Sequence, residues 1–162
     1  FASTGAMIDL QVEGKPMGSR ITLTGNGGIV EIQAFAESVF PLTGIELVVN
    51  GMQVARETSG EGECCLKIDY KLKAEKSCWV VARCWSNHYT DAGPVMAHSS
   101  PVYVDVGRYR AFVEAEGNYL MTHMEGGIAW AESIGVFRDE SVRTRLIGLF
   151  DEAKRELVRR MR

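Results

Sequence analysis

IELVVNGMQVARE, residues 45–57, decides the fold. An apolar run leads into Asn50-Gly51, and apolar residues resume directly after it. A two-residue loop between antiparallel strands needs positive φ, and Asn and Gly tolerate it best. The stretch therefore predicts a β-hairpin.

Outward from this hairpin the same grammar continues. Upstream, MIDLQV (7–12) alternates, with Ile8, Leu10 and Val12 on one face. EGKPMG (13–18) is a turn, RITLT (20–24) alternates again, and GNGG (25–28) breaks it. IVEIQAFA (29–36) sets Val30, Ile32, Ala34 and Ala36 together. Downstream, a polar loop (58–63) precedes CCLKIDYKL (64–72), where Leu66, Ile68, Tyr70 and Leu72 share a face. CWVVARCW (78–85) is a long strand, NHYTDAGPVMAHS (87–99) belongs to a long loop, and PVYVDV (101–106) is the last strand. Eight strands with turn signals about every ten residues, and no helices between them, predict an antiparallel β-sandwich of immunoglobulin-like or jelly-roll-like type. A barrel is the runner-up.

After Val106 the period changes. AFVEAEGNYLMTHMEGGIAWAES (111–133) spaces Phe112, Tyr119, Leu120, Met124, Ile128 and Ala131 as a helix would, although Gly117, Gly126 and Gly127 weaken it. Gly135 is expected to end it. The segment 139–162 is a clearer helix: Asp139 caps it, arginines crowd its last turn, and Val142, Leu146, Leu149, Phe150, Ala153, Leu157 and Met161 form an apolar stripe. The predicted organisation is a β-sandwich domain (1–107) with a helical tail (108–162) packed on it.

The chain has 162 residues, 46% hydrophobic and 24% charged, with a net charge of -3. Nothing in that balance advertises a nucleic-acid partner. No apolar run approaches the roughly 18 residues of a membrane helix. Because the first residue is Phe1 and not Met, the expectation is a piece of a longer polypeptide, with the compartment, cytoplasmic or periplasmic, left open.

Four cysteines are present, Cys64, Cys65, Cys78 and Cys84, without a C-x-x-C pair, so zinc is poorly supported. A hairpin centred near Ala74 would face Cys64 with Cys84; buried free thiols are the simpler reading. In AHSSPVYV (97–104), His98 beside Ser99 and Ser100 has the residue types of a base and nucleophile. Adjacent residues on extended chain point apart, so the serines are expected to satisfy loop backbone groups before Pro101. His88, Asp91 and His98 are suitable metal ligands, but their spacing matches no motif. GNGG joins two strands, whereas a phosphate cradle wants a helix directly after it.

Arg83 is the more informative residue. Trp79, Val81, Arg83 and Trp85 share one face of their strand, and Cys78, Val80, Ala82 and Cys84 share the other. The small apolar face suits the sandwich interior. The outer face suggests a cover, a ligand stacked on the indoles as on carbohydrate-binding sandwiches, or an Arg83 packed against a carboxylate or loop carbonyls. No catalytic residue set and no metal set is predicted within the chain.

Four stretches carry a family resemblance: GAMIDLQVEGKPMG (5–18), IELVVNG (45–51), CWVVARCW (78–85) and AHSSPVYV (97–104), followed by FDEAK (150–154) in the last helix. This series resembles the C-terminal region of the CehA/McbA-type metallohydrolases, in which a metal-binding barrel of the PHP type is followed by a β-rich domain with a helical tail. Gly5-Ala6 stands where Gly-Pro would be expected. The resemblance implies a bacterial, non-catalytic accessory domain of a metal-dependent hydrolase acting on phosphoester, amide or carbamate-like bonds. Its divalent metal ions would sit in an N-terminal PHP-type catalytic domain of the same polypeptide, with no cofactor held by these residues. Arg83 and His98 match the family pattern, so Trp79, Arg83, Trp85 and His98 are the candidates for a ligand or domain-interface site. A homo-oligomer is a further possible partner state. The alternative reading is a carbohydrate- or ligand-binding module.

Overall fold

The computed structural model describes residues 1–60, 62–91, 93–108 and 114–161. The chain divides into two compact units, Phe1–Ala111 and Phe112–Arg162.

The first unit is a β-sandwich. Its strands are β1 (Ala2–Ser3), β2 (Ala6–Val12), β3 (Lys15–Pro16), β4 (Arg20–Leu23), β5 (Gly28–Ser38), β6 (Gly44–Val49), β7 (Met52–Thr58), β8 (Cys65–Ala74), β9 (Cys78–Thr90), β10 (Gly93–His98) and β11 (Val102–Val106). One sheet runs β3-β2-β5-β8. In the other, β7 pairs β6 and β6 pairs one edge of β9. Along the opposite edge of β9 lie first β10 and then β11, flanked in turn by β1 and β4. The β11–β4 pairing is parallel and the others are antiparallel.

Alternation dictates the packing. On β2 and β5, Ile8, Leu10, Val12, Val30, Ile32, Ala34 and Ala36 all turn inward and are buried. They meet Ile45, Leu47, Val80, Ala82, Cys84, Val95, Val102 and Val104 from the second sheet in one core cluster. Full burial of each large aliphatic side chain contributes roughly 1.5–3 kcal/mol. The Asn50-Gly51 turn forms as the residue types require, with φ of 48° and 83°. Asn50 also fastens the hairpin to β9: its N–H donates to the Trp79 carbonyl at 3.1 Å, and its Oδ1 accepts the Trp79 N–H at 3.0 Å.

Several expectations need correction. Residues 86–100 are not a long loop: β9 continues to Thr90 and β10 returns beside it. β8 and β9 do not form a hairpin, because β8 pairs β5 in one sheet while β9 lies in the other. Cys64 and Cys84 are therefore not cross-strand partners. All four thiols are free; Cys64 and Cys65 are exposed and Cys78 and Cys84 buried. Burial pushes the Cys78 and Cys84 thiols up from their ordinary pKa; at Cys84 a backbone hydrogen bond with Ala97 opposes it.

The second unit is a helical hairpin, α1 (Glu114–Ser133) and α2 (Glu140–Met161). Phe112, the predicted start at 111 and Arg162 lie outside the described residues. Gly126 and Gly127 do not break α1. Gly127 instead admits the Phe150 ring of α2, whose Cζ would lie 2.7 Å from any Cβ there. The Gly135 N–H closes α1 on the Trp130 carbonyl at 2.8 Å, and Arg143 donates to the carbonyls of Ala131 at 2.9 Å and Glu132 at 2.6 Å. Asp139 caps α2 by accepting the N–H groups of Ser141 and Val142 at 3.0 and 3.1 Å. The α2 stripe sits differently from the one predicted. Leu157 is buried and Leu146, Phe150 and Met161 are half-buried, but Val142, Leu149 and Ala153 are exposed.

Candidate functional site: an outer-face cleft on the larger sheet

The candidate site begins with the alternation of β9. Its inward residues, Cys78, Val80, Ala82 and Cys84, join the core, so Trp79, Val81, Arg83 and Trp85 occupy the outer face. Cross-strand register then sets their neighbours. His98 of β10 lies opposite Arg83, Arg83 opposite Glu46 of β6, and Glu46 opposite Arg56 of β7. Ala2 of β1 completes this row beyond His98. In the adjacent row Met96, Trp85 and Gly44 are in register.

These rows line a cleft of about 650 Å³, bounded by β1 and β10 on one side and by Glu46 and Arg56 on the other. Three of the four predicted site residues, Arg83, Trp85 and His98, meet in it. Trp79 does not. It lies six residues from Trp85 on the same strand, roughly 20 Å away at about 3.3 Å per residue. Its register partner is Tyr103, whose ring lies under the Arg20 guanidinium at 4.6 Å. Arg20 is in turn held 2.7 Å from both carboxylate oxygens of Asp105.

Of the alternatives for Arg83, the structure shows packing against a carboxylate. The Arg83 Nε donates to Glu46 Oε1. That pair is uneven: the Glu46 side chain is 7% exposed and that of Arg83 is 53% exposed. The guanidinium that does stack on Trp85 belongs to Arg56, 4.7 Å from the ring centroid. The indole also covers Gly44, where a Cβ would fall 2.4 Å from Trp85 Cζ2. Both the stack and the cover hold Trp85 in place.

His98 and the serines behind it are fastened in three different directions. The His98 Nδ1–H donates to the Ser99 carbonyl at 2.7 Å. Ser99 is buried, donates its N–H to the Ala82 carbonyl at 2.8 Å, and accepts the Ala82 N–H on its Oγ at 2.9 Å. Ser99 thereby carries the pairing with β9 across the interruption between β10 and β11. Ser100 Oγ accepts from the amino terminus of Phe1 at 3.4 Å. No base–nucleophile couple results.

The other titratable candidates are dispersed. His88 stacks on Phe40, with ring centroids 5.6 Å apart, Asp91 is exposed at the tip of the β9–β10 hairpin, and His123 lies on α1. Among the described residues no group of three or more His, Cys, Asp or Glu is placed to hold a metal ion. GNGG is a strand-joining bend, with Gly27 at φ 86° pressed so closely on the Ala74 carbonyl that a Cβ would be 1.9 Å from its oxygen.

Glu46 and Arg56 escaped the sequence reading. Arg56 faces outward because a bulge between Leu47 and Val48 shifts the β6–β7 register by one residue. Without that bulge Ala55 would oppose Glu46. The register of the turn alone could not have revealed it.

The class defined by these features is a β-sandwich followed in sequence by a helical hairpin. No protein-family model matches the chain, and no curated protein matches it. Among solved structures, the chain is similar to the fibronectin(III)-like modules of Clostridium thermocellum CbhA, at 19% identity and a TM-score of 0.39, over 63% of this chain and 100% of that one.

Proposed function

We propose that this chain is a non-catalytic accessory domain that serves a PHP-type metal-dependent hydrolase carried N-terminally on the same polypeptide. The quoted motifs, from GAMIDLQVEGKPMG to FDEAK, suggest that parent. One observation supports the non-catalytic part: Ser99, the serine beside His98, is buried and spent in fastening. Ser99 is bonded through both its N–H and its Oγ to Ala82, and His98 is tied to the Ser99 carbonyl. In this reading divalent metal ions belong to the N-terminal domain, and the outer face of the sandwich stabilises the enzyme or shapes access to it.

The test is the reading frame upstream of Phe1. Histidine- and aspartate-rich barrel motifs in the same polypeptide support the proposal; a frame without them refutes the PHP assignment. The purified chain should leave generic esters and phosphoesters intact, and turnover that is lost in His98→Ala would overturn the non-catalytic reading.

A second reading has its own support. The cleft lined by Arg83, Trp85 and His98 is of ligand size, mostly apolar, with a few polar groups. It makes the sandwich a ligand-binding module, whether or not it also serves a hydrolase.

A further inference from the structure

Which ligand the cleft takes follows from an inventory of its hydrogen-bonding groups. Ser3 Oγ donates to the Ala6 carbonyl and accepts the N–H groups of Gly5 and Ala6, each at 3.0 Å. Thr4 Oγ1 donates to the Pro94 carbonyl and accepts the Met96 N–H at 3.1 Å. Glu46 takes Arg83 Nε and is nearly buried. With Nδ1 engaged, His98 offers only Nε2. What remains open is the two terminal nitrogens of Arg83 and the guanidinium of Arg56, which have no protein acceptor among the described residues.

The open groups are therefore mostly donors, the guanidinium nitrogens, with His98 Nε2 beside them as an acceptor. A sugar presents hydroxyls that donate as well as accept, and such a lining meets few of their donors. Sugar stacking is also obstructed, because Arg56 stacks on Trp85 and the indole covers Gly44. An acceptor-only group matches instead, and guanidinium forks favour carboxylate and phosphate. The charge selects between these: Arg83 and Arg56 against Glu46 leave one net positive charge, which complements a monoanion better than a phosphate of about -1.5 to -2. Around these groups the lining is apolar: Trp85, the exposed Met96, Ala2 and Ala97.

We propose that the cleft binds a small organic monocarboxylate with an apolar body. The carboxylate lies on the terminal nitrogens of Arg83, Arg56 adds the second positive charge, and the body lies against Trp85 and Met96. This inference rests on the ligand-binding reading of the cleft above.

The test is NMR of the full chain, following the Trp85 indole N–H (assigned with Trp85→Phe) and the Met96 and His98 amides. Four probes are titrated: phenylbutyrate, its neutral amide, cellohexaose, and a short acidic, apolar peptide. The expected result is a saturable shift with phenylbutyrate and binding of the amide weaker by about tenfold or more. Arg56→Gln should weaken phenylbutyrate by about tenfold. The pair Glu46→Gln with Arg83→Gln, which leaves no buried carboxylate unpaired, should do the same in a folded protein. Equal binding of acid and amide overturns the charge argument. Cellohexaose binding alone overturns the carboxylate and preserves the ligand-binding reading. A shift produced only by an acidic, apolar peptide overturns the small acid in favour of a protein partner. No shift with any probe overturns both readings of the cleft and leaves the accessory role standing.

Discussion

Consider Arg83→Gln. The Arg83–Glu46 pair joins a half-exposed cation to a nearly buried anion, at side-chain exposures of 53% and 7%. Removing the cation strands the anion, because no other partner of Glu46 is found among the described residues. Exposed ion pairs contribute about 0–1 kcal/mol, and breaking a fully buried one costs about 3–5 kcal/mol. With one partner half in water, the loss should be about 2 kcal/mol. For a unit of this size that lowers Tm by roughly 10 °C. Glu46→Gln should be far milder, about 0.5–1 kcal/mol, because the released guanidinium simply hydrates. The double variant should resemble Glu46→Gln, giving a coupling energy of about 2 kcal/mol. Differential scanning calorimetry of the four proteins measures this directly. Equal losses for the two single variants, or a loss below about 0.5 kcal/mol for Arg83→Gln, would refute the idea that Glu46 depends on Arg83 for its place on the sheet.

Other consequences can be checked alongside. Gly44→Ala places a methyl group where the Trp85 ring lies; it should cost about 1–3 kcal/mol in urea unfolding, and a companion Trp85→Ala should relieve most of the steric part. Ser99→Ala leaves the buried Ala82 N–H without its acceptor and should cost about 1–3 kcal/mol by the same assay. With a thiol reagent at mildly alkaline pH, Cys64 and Cys65 should react quickly and Cys78 and Cys84 only on unfolding, since burial both shields the latter thiols and raises their pKa. Asp139 is held below the usual aspartate range, first by the Ser141 hydroxyl and then by the Val142 N–H. Its contribution to α2 is therefore complete above the ordinary aspartate pKa and lost as pH falls through the lowered one. The helical circular dichroism of Asp139→Ala should fall below that of the parent near neutrality and converge with it in acid.

Much of the sandwich was legible because burial follows a period of two. Ile8, Leu10 and Val12, then Val30 to Ala36, then Leu66 and Ile68, went inward as their alternation requires. The Asn50-Gly51 turn was legible because few residue pairs tolerate its dihedrals. The two faces of β9 were also legible, and so was the fastening role of Ser99, because extended chain keeps neighbouring side chains apart. Partnership was not legible. Alternation says which face a residue takes, but not which strand lies beside it. So a hairpin of residues 63–72 with 77–86 stayed open in the sequence, whereas the chain crosses between sheets from β8 to β9, and residues 86–100 read as a loop although β9 and β10 pair within them.

The cleft shows the same division more sharply. Sequence placed Arg83, Trp85 and His98 in the candidate site, and it put Trp79 there too, since shared face was the criterion. The rise of a strand already separates Trp79 from Trp85 by six residues; tertiary structure brought in Glu46 and Arg56 from the hairpin. One bulge, a single extra residue in the β6–β7 pairing, turned Arg56 from the core side to the outer face and onto Trp85. Local sequence fixes periodicity because sterics act between neighbours in the chain. Register and sheet membership are settled by the packing of residues far apart in it, and that is where the charges of the cleft were decided.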